Sequence, residues 1–532
     1  MFFYMHFLFP ALSCIIKNNI YIREKGVIRG MKTKWSVDNV VNVTENVSRA
    51  GLYILACCML LWMNVNSLSV PGISAVFAAL LLSVGVGLFL EKITSAQKWL
   101  EWIVLGVCCI LFGLVCIWWV SIVPYEMEGD QAIVWTAATL ALEDNFVMYS
   151  HGGQMFIYPQ QQGLAFLYEM LFRLTGNTNH QMIGYVNALL APITLFFGYQ
   201  CVKECAGKKT AVRFLPLMML CLPYVIYSPY VYGDIPSICY CFVLFWGILK
   251  FMKTTQYRYV MVACLAASLG LVSRKNIWIF FVGLLIGMVY HTLQKKDIKP
   301  IVVAVCIVLC ASLSMTGIKQ WNSVRSGYPV SSGMPTVLWL AMGLQYSEYG
   351  AGHYNNYSKH IYQQVGCDGE EAAAIGVQEV KRRIKTFLQY PDQCGMFFKE
   401  KMRSQWVKPL FDSVKFTGTL SSEHPDELPP IVFEIYQGQG QKILKQFCSM
   451  MMSIVYFFSL AGVVLRYFKK RPIAEDIPLI VFVGGFLFSI AWEAKARYMF
   501  PYFVLLHMYA AYGMTEVSEL LRTKLIRLKG KR

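Results

Sequence analysis

Apolar residues along this chain are gathered into runs rather than spread evenly. Twelve runs stand out: 51–67, 71–90, 101–123, 181–202, 211–228, 236–252, 258–273, 277–293, 299–317, 446–466, 477–492 and 498–516. Each is about the length that crosses a hydrocarbon core of roughly 30 Å as a helix. Backbone N–H and C=O groups find no partner in lipid, so such runs are expected to close their hydrogen bonds internally, as helices. The pattern predicts an all-α polytopic membrane protein with about twelve transmembrane helices.

Two long polar stretches interrupt the runs. The first, 124–180, contains AIVWTAATLALED, whose apolar spacing predicts a short interfacial helix, and a second helix opening at Tyr158-Pro159. The second stretch, 319–445, contains GEEAAAIGVQEVKRRIKTFLQYP, with apolar residues at helical spacing up to Pro391, and FFKEKMRSQWVKPLF, a second amphipathic helix. SSEHPDELPP reads as a turn-rich connector. Residues 319–445 are therefore expected to form a small, mostly helical external domain lying on the membrane surface. The remaining divisions are an N-terminal segment 1–50, a transmembrane module 51–318 that includes the loop 124–180, the closing helices 446–516, and a basic tail 517–532. Residues 1–16 are apolar without a preceding basic segment, unlike a secretory signal. They read as an upstream extension before a start at Met31, or as a short extra anchor.

Composition agrees with a membrane protein. Hydrophobic residues make up 56% and charged ones 15% of the 532 residues, against about 25% charged in soluble proteins. The net charge of +17 could suggest nucleic acid, but no nucleic-acid motif occurs. The basic residues instead fall in alternate loops: 1–50, 91–99, 203–210, 250–258, 294–299, 466–476 and 517–532. By the positive-inside rule this puts both termini in the cytoplasm and both long polar stretches outside, in a multi-pass protein of the plasma membrane. Most of the 17 cysteines lie in apolar runs, where they behave as small hydrophobes. Cys367 and Cys394 fall in the long external stretch, as a disulfide or as two free thiols. There is no CxxC, HExxH or other metal-ligand spacing; no cofactor is expected, and a divalent ion at Asp130 and Asp234 is the disfavoured alternative to a metal-free site.

Charges on the outer side have no topological purpose and ask for another. They are Glu126, Glu128 and Asp130 in YEMEGDQ, Asp234 in YSPYVYGDIPS, Arg274-Lys275, and Lys495 with Arg497. A carboxylate at the membrane boundary suits a general base, although the same acids also read as solvated loop residues. Snorkelling accounts for Arg497 as well as phosphate binding does, and Asp234 reads equally as a turn residue.

The order of these motifs resembles the GT-C superfamily of polyprenyl-phosphate-sugar glycosyltransferases, and in particular the bacterial members similar to protein O-mannosyltransferases and to the aminoarabinose transferases of lipid A. The match runs from about residue 100 to 516: GDQ in the first external loop, Tyr158-Pro159 further along it, YGDIPS in the next, SRKN after a later helix, and WEAKARYMFPYF near the end. Two departures stand against it. Two spans precede the helix that leads into the acidic loop, and GDQ replaces a paired Asp-Glu, which leaves Asp130 or Glu128 as the base. The resemblance implies a GT-C-like fold and inverting transfer of a sugar from a lipid-linked donor to an envelope protein, polymer or lipid acceptor. Asp130 would be the base, with Asp234, Tyr158, Arg274, Lys275, Lys495 and Arg497 binding substrate, membrane lipids surrounding the donor, and no nucleic acid involved. The rival readings are an O-antigen-type polysaccharide polymerase, a lipid or solute transporter, and a non-catalytic scaffold. A transporter should show inverted repeats, and none is visible.

Overall fold

A computed structural model describes residues 37–67, 73–418, 428–469 and 473–529. The expectations for residues 1–30, for most of the 421–430 connector and for the last residues of the tail lie outside them. The fold is all-α. Its one sheet among the described residues is a small antiparallel pair, Tyr346–Ser347 with Gly350–Ala351.

Over its described residues, each of the twelve predicted runs contains helix. Seven helices among the described residues are long and apolar enough to cross a membrane: Asn46–Ser67, Trp99–Ile122, Gln181–Ala206, Asp234–Thr254, Ile277–Lys295, Lys299–Ser326 and Gly440–Phe468. Tyr257–Ser273 and Ile477–Ala491 are shorter apolar helices. Residues 73–90 of the run at 71–90 lie in the Ile73–Ala96 helix, and the run at 498–516 in Ala496–Lys529. The run 211–228 is not one rod but two helices, Lys208–Met219 and Leu222–Ile226. Pro216 and Pro223 supply no N–H to the helical ladder, which fits a break between them.

Charged residues at the helix ends collect at one end of the bundle. There Lys209 bridges Glu91 at 3.3 Å and Glu519 at 3.5 Å, Lys203 meets Glu101 at 2.5 Å, and Lys253 meets Glu204 at 3.0 Å. Buried Arg466 pairs with Asp476 at 2.6 Å and Glu475 at 3.0 Å. Five of the basic loops picked out by their charge thus meet at the same end.

The other end carries both polar stretches. The interfacial helix forms as Asp130–Leu142, and Pro159 opens a turn that runs into Gln162–Thr175. The two amphipathic helices of the second stretch are Gly369–Gln389, capped by the Asp368 carboxylate on the N–H groups of Glu370 and Glu371, and Pro391–Trp406. This region does not merely lie on the surface. Trp406 is fully buried among the membrane helices, where its Nε1 donates to Ser489 Oγ at 3.0 Å and its carbonyl accepts from Tyr456 at 2.6 Å. Phe411 is equally buried, 4.8 Å from Phe503 and 5.4 Å from Phe500, and its carbonyl accepts from Tyr227. Two large rings gain more by entering the bundle than by resting at its edge, so they pin the external region to it. Cys367 and Cys394 are both free thiols.

Candidate active site

A cavity of about 470 Å³ opens at the end that carries the polar stretches. A smaller chamber of about 110 Å³ adjoins it, sharing Gln160, Gln161, Tyr232, Trp339, Arg497 and Tyr498 as a common wall. The larger space is lined by Glu128, Asp130, Tyr158, Lys495 and Arg497, the smaller by Arg274 and Lys275. Residues spread over 370 positions of sequence thus converge on one connected space.

Asp130 is the first residue of the Asp130–Leu142 helix, where unpaired backbone N–H groups favour a negative charge. Gly129 before it has φ +56°, a backbone that L side chains rarely adopt, which accounts for the glycine of GDQ. Glu128 is exposed at the rim, whereas Asp130 is half-buried. Tyr158 lies close to Asp130: burial raises its pKa far above the usual phenol value, with Tyr354, Asp130 and Glu493 adding to the rise.

Asp234 does not line the space. It is fully buried at the start of its helix and ion-paired with Arg274, which is also buried. Gly233 makes this pairing possible, because any side chain there would collide with the Ser273 carbonyl. Burial alone would lower the pKa of Arg274, but Asp234 reverses that and the net shift is upward. Arg274 also packs 5.3 Å from the Tyr232 ring. Asp234 is therefore placed to orient a cation rather than to touch a ligand.

Arg497 differs from its neighbours. It is 3% exposed and has no acidic partner among the described residues. Four rings surround it, those of Phe416 at 4.8 Å, Tyr232 at 5.2 Å, Tyr230 at 5.3 Å and Tyr498 at 5.5 Å, and its Nε makes no hydrogen bond. Cation–π attraction offsets part of the cost of burying it, but a buried guanidinium with an idle N–H still calls for an anion. Lys495, by contrast, is paired with Glu493 at 2.7 Å, and this acid raises its pKa well above the usual value against the opposing pull of burial. Lys275 lies 5.9 Å from the Trp339 ring, and burial lowers its pKa.

Several lining residues escaped the sequence reading: Glu493, Tyr232, Trp339, Tyr354, Lys359, Lys415 and the glutamines 131, 154, 160 and 161. Glu493 stands inside WEAKAR beside residues that were singled out. Gln131 likewise belongs to GDQ and Tyr232 to YGDIPS, whereas the rest are polar or aromatic residues of kinds abundant throughout the loops, and no spacing distinguishes them. Among the described residues no group of three or more His, Cys, Asp or Glu side chains is placed to hold a metal ion.

Residues 163–315 match the family described as dolichyl-phosphate-mannose-protein mannosyltransferase. Over that segment the match bears out the GT-C resemblance read from the motifs. It includes Asp234, Arg274 and Lys275 and stops short of Asp130, Tyr158, Lys495 and Arg497. No curated protein matches the chain significantly. Among solved structures, the oligosaccharyltransferase AglB of Archaeoglobus fulgidus, in complex with an inhibitory peptide and a dolichol-phosphate, is 11% identical with a TM-score of 0.42, covering 81% of this chain and 52% of that one. The apo form of the Archaeoglobus fulgidus oligosaccharyltransferase is 13% identical with a TM-score of 0.44, covering 82% of this chain and 53% of that one. The chain spans about half the length of these solved proteins.

Proposed function

We propose that this protein is a membrane glycosyltransferase that moves a sugar from a polyprenyl-phosphate donor to an envelope acceptor, with inversion, on the outer face of the plasma membrane. The observation that carries the reading is the pairing, within one cavity, of a half-buried aspartate at a helix N-terminus with a buried guanidinium that lacks an acidic partner. A lipid-linked donor supplies the anion that Arg497 lacks. The basic loops, gathered at the opposite end, support the assignment of the cavity to the outer face.

In the proposed reaction Asp130 takes the proton of the acceptor hydroxyl. The oxygen forms a bond to C1 of the sugar from the side opposite the phosphate, through an oxocarbenium-like transition state. The C1–O bond breaks, its electron pair stays on the phosphate oxygen, and polyprenyl phosphate departs. Arg497 binds the phosphate oxygens, where a planar fork of donors suits the geometry, and stabilises the charge that grows on the leaving group. Asp234 holds Arg274 in line for the same task, and Lys275 lines the smaller chamber beside it. Tyr158 and the Glu493–Lys495 pair border the acceptor side. Glu128, exposed at the rim, is the alternative base. No metal is assigned a role.

The test is Asp130→Asn beside Glu128→Gln in membranes supplied with a polyprenyl-phosphate sugar. Transfer should fall by at least about 100-fold in the first and far less in the second. Wild-type rates in Asp130→Asn would refute the assignment of the base.

A further inference from the structure

Aromatic rings continue the larger cavity outward, onto the small strand pair of the external region. Tyr158 and Tyr354 both line the cavity, lie close together and feel the charge of Asp130. The Tyr354 hydroxyl donates to Asn356 Oδ1 at 2.7 Å, and its ring lies 5.4 Å from Lys495 Nζ. Lys415 lines the same cavity and stands 4.9 Å from the Tyr349 ring. Tyr349, in the turn of the hairpin, is 63% exposed, and Tyr346, on its first strand, is 54% exposed. The Tyr346 ring sits edge-on to Phe397 at 5.1 Å. Rings thus lead from the neighbourhood of the proposed base to open solvent.

Backbone bonds tie this hairpin down. Ala351 N donates to Glu400 Oε1 at 3.1 Å, Gly352 N to the Gln345 carbonyl at 2.8 Å, and Ala494 N to the Gly352 carbonyl at 2.7 Å. The last bond joins it directly to the segment that bears Glu493, Lys495 and Arg497. Tyrosines on so fixed a backbone offer large contact area and lose little freedom when something binds.

The chemistry of the surface selects its occupant. An extended peptide adds to a sheet through free backbone groups, and those of the hairpin are already engaged. Ser347 Oγ donates to the Gly350 carbonyl at 3.3 Å and accepts from Tyr349 N at 3.1 Å, and Asn355 Nδ2 donates to the Tyr346 carbonyl at 3.5 Å. Ring faces, phenol hydroxyls and the Lys415 ammonium remain. A sugar ring presents a face of C–H groups, which suits the negative face of an aromatic ring, with hydroxyls around its edge for the polar groups.

We propose that Tyr346, Tyr349 and Tyr354 form a docking platform for a glycan acceptor, whose sugars stack on the exposed rings while the end of the chain reaches into the cavity. This rests on the glycosyl-transfer reading of that cavity and names its acceptor as a carbohydrate chain rather than a peptide.

The experiment uses the full chain in lipid nanodiscs, a polyprenyl-phosphate sugar as donor, and the envelope fraction of the cells that carry the gene as acceptor. Portions of that fraction are first treated with proteinase K or with periodate, and turnover is followed by release of polyprenyl phosphate. Acceptor activity should survive the protease and be lost to periodate. With sized polysaccharide fragments of the same envelope, Tyr349→Ala should raise KM about tenfold for fragments of several sugars and leave kcat within about twofold, whereas Tyr349→Trp should keep the wild-type KM. Acceptor activity that is lost to the protease and survives periodate would overturn the platform while leaving glycosyl transfer intact, as would an unchanged KM in both Tyr349→Ala and Tyr346→Ala. If no portion, treated or untreated, supports donor turnover, the glycosyl-transfer reading falls, and the platform with it.

Discussion

Lys401 lies on the Pro391–Trp406 helix with 0% exposure, and its Nζ donates to the Gly343 carbonyl at 2.5 Å. Its stem runs along Gly352, whose carbonyl accepts from Ala494 N at 2.7 Å. The amine thus ties two parts of the external region together, beside the Gly352 carbonyl that holds the segment bearing Glu493, Lys495 and Arg497. Burial, opposed only in part by Glu493, pushes its pKa from 10.5 down to about 7. Between about pH 7 and 10.5 the unfolded chain holds a proton there that the folded protein does not, so stability rises with pH across that window and levels off on either side. The gap between the two values corresponds to on the order of 5 kcal/mol over the whole window. Lys401→Met removes this dependence but leaves the Gly343 carbonyl without its donor, a cost of about 1–3 kcal/mol. The variant should therefore be the more stable protein at pH 6 and the less stable at pH 10, with the curves crossing between. Thermal midpoints of both proteins in nanodiscs across that range measure the difference, in which other titrating groups cancel. Midpoints that run parallel from pH 6 to pH 10 would refute the reasoning.

Other outcomes follow from the same geometry. Arg497→Met should reduce transfer by about 100-fold or more, and Arg497→Lys should restore only part of it, because a point charge cannot reproduce the planar fork; donor turnover reads both. Asp234→Ala strands a buried guanidinium and should cost about 3–5 kcal/mol of stability, whereas the double variant Asp234→Leu with Arg274→Met should cost less, as denaturation midpoints would reveal. Gly233→Val should destabilise the fold through its collision with the Ser273 carbonyl, lowering the melting temperature as well as activity. Prolonged EDTA treatment should leave transfer unchanged, and recovery of activity only on adding a divalent ion would contradict the metal-free reaction.

Apolar run length determined the helices by itself, because lipid offers the backbone no alternative partner. The pattern located helix in each of the twelve runs, and the basic loops marked ends that the ion pairs of Glu91, Glu101, Glu204 and Glu516 bring together. The helices Gly369–Gln389 and Pro391–Trp406 were equally legible from their spacing and from Pro391. Charges without a topological purpose drew attention to Asp130 and Arg497, since an isolated charge near a membrane is costly and therefore conspicuous. The tertiary structure decided what such local signals do not carry. It broke the 211–228 run in two, buried Trp406 and Phe411 inside the bundle, and paired Asp234 with Arg274 while leaving Arg497 unpaired. It also set Gln131 and Gln161 beside residues far away in sequence. Pairing and burial depend on which surfaces meet, and an amide or a ring carries no mark along the chain of the neighbour it will have.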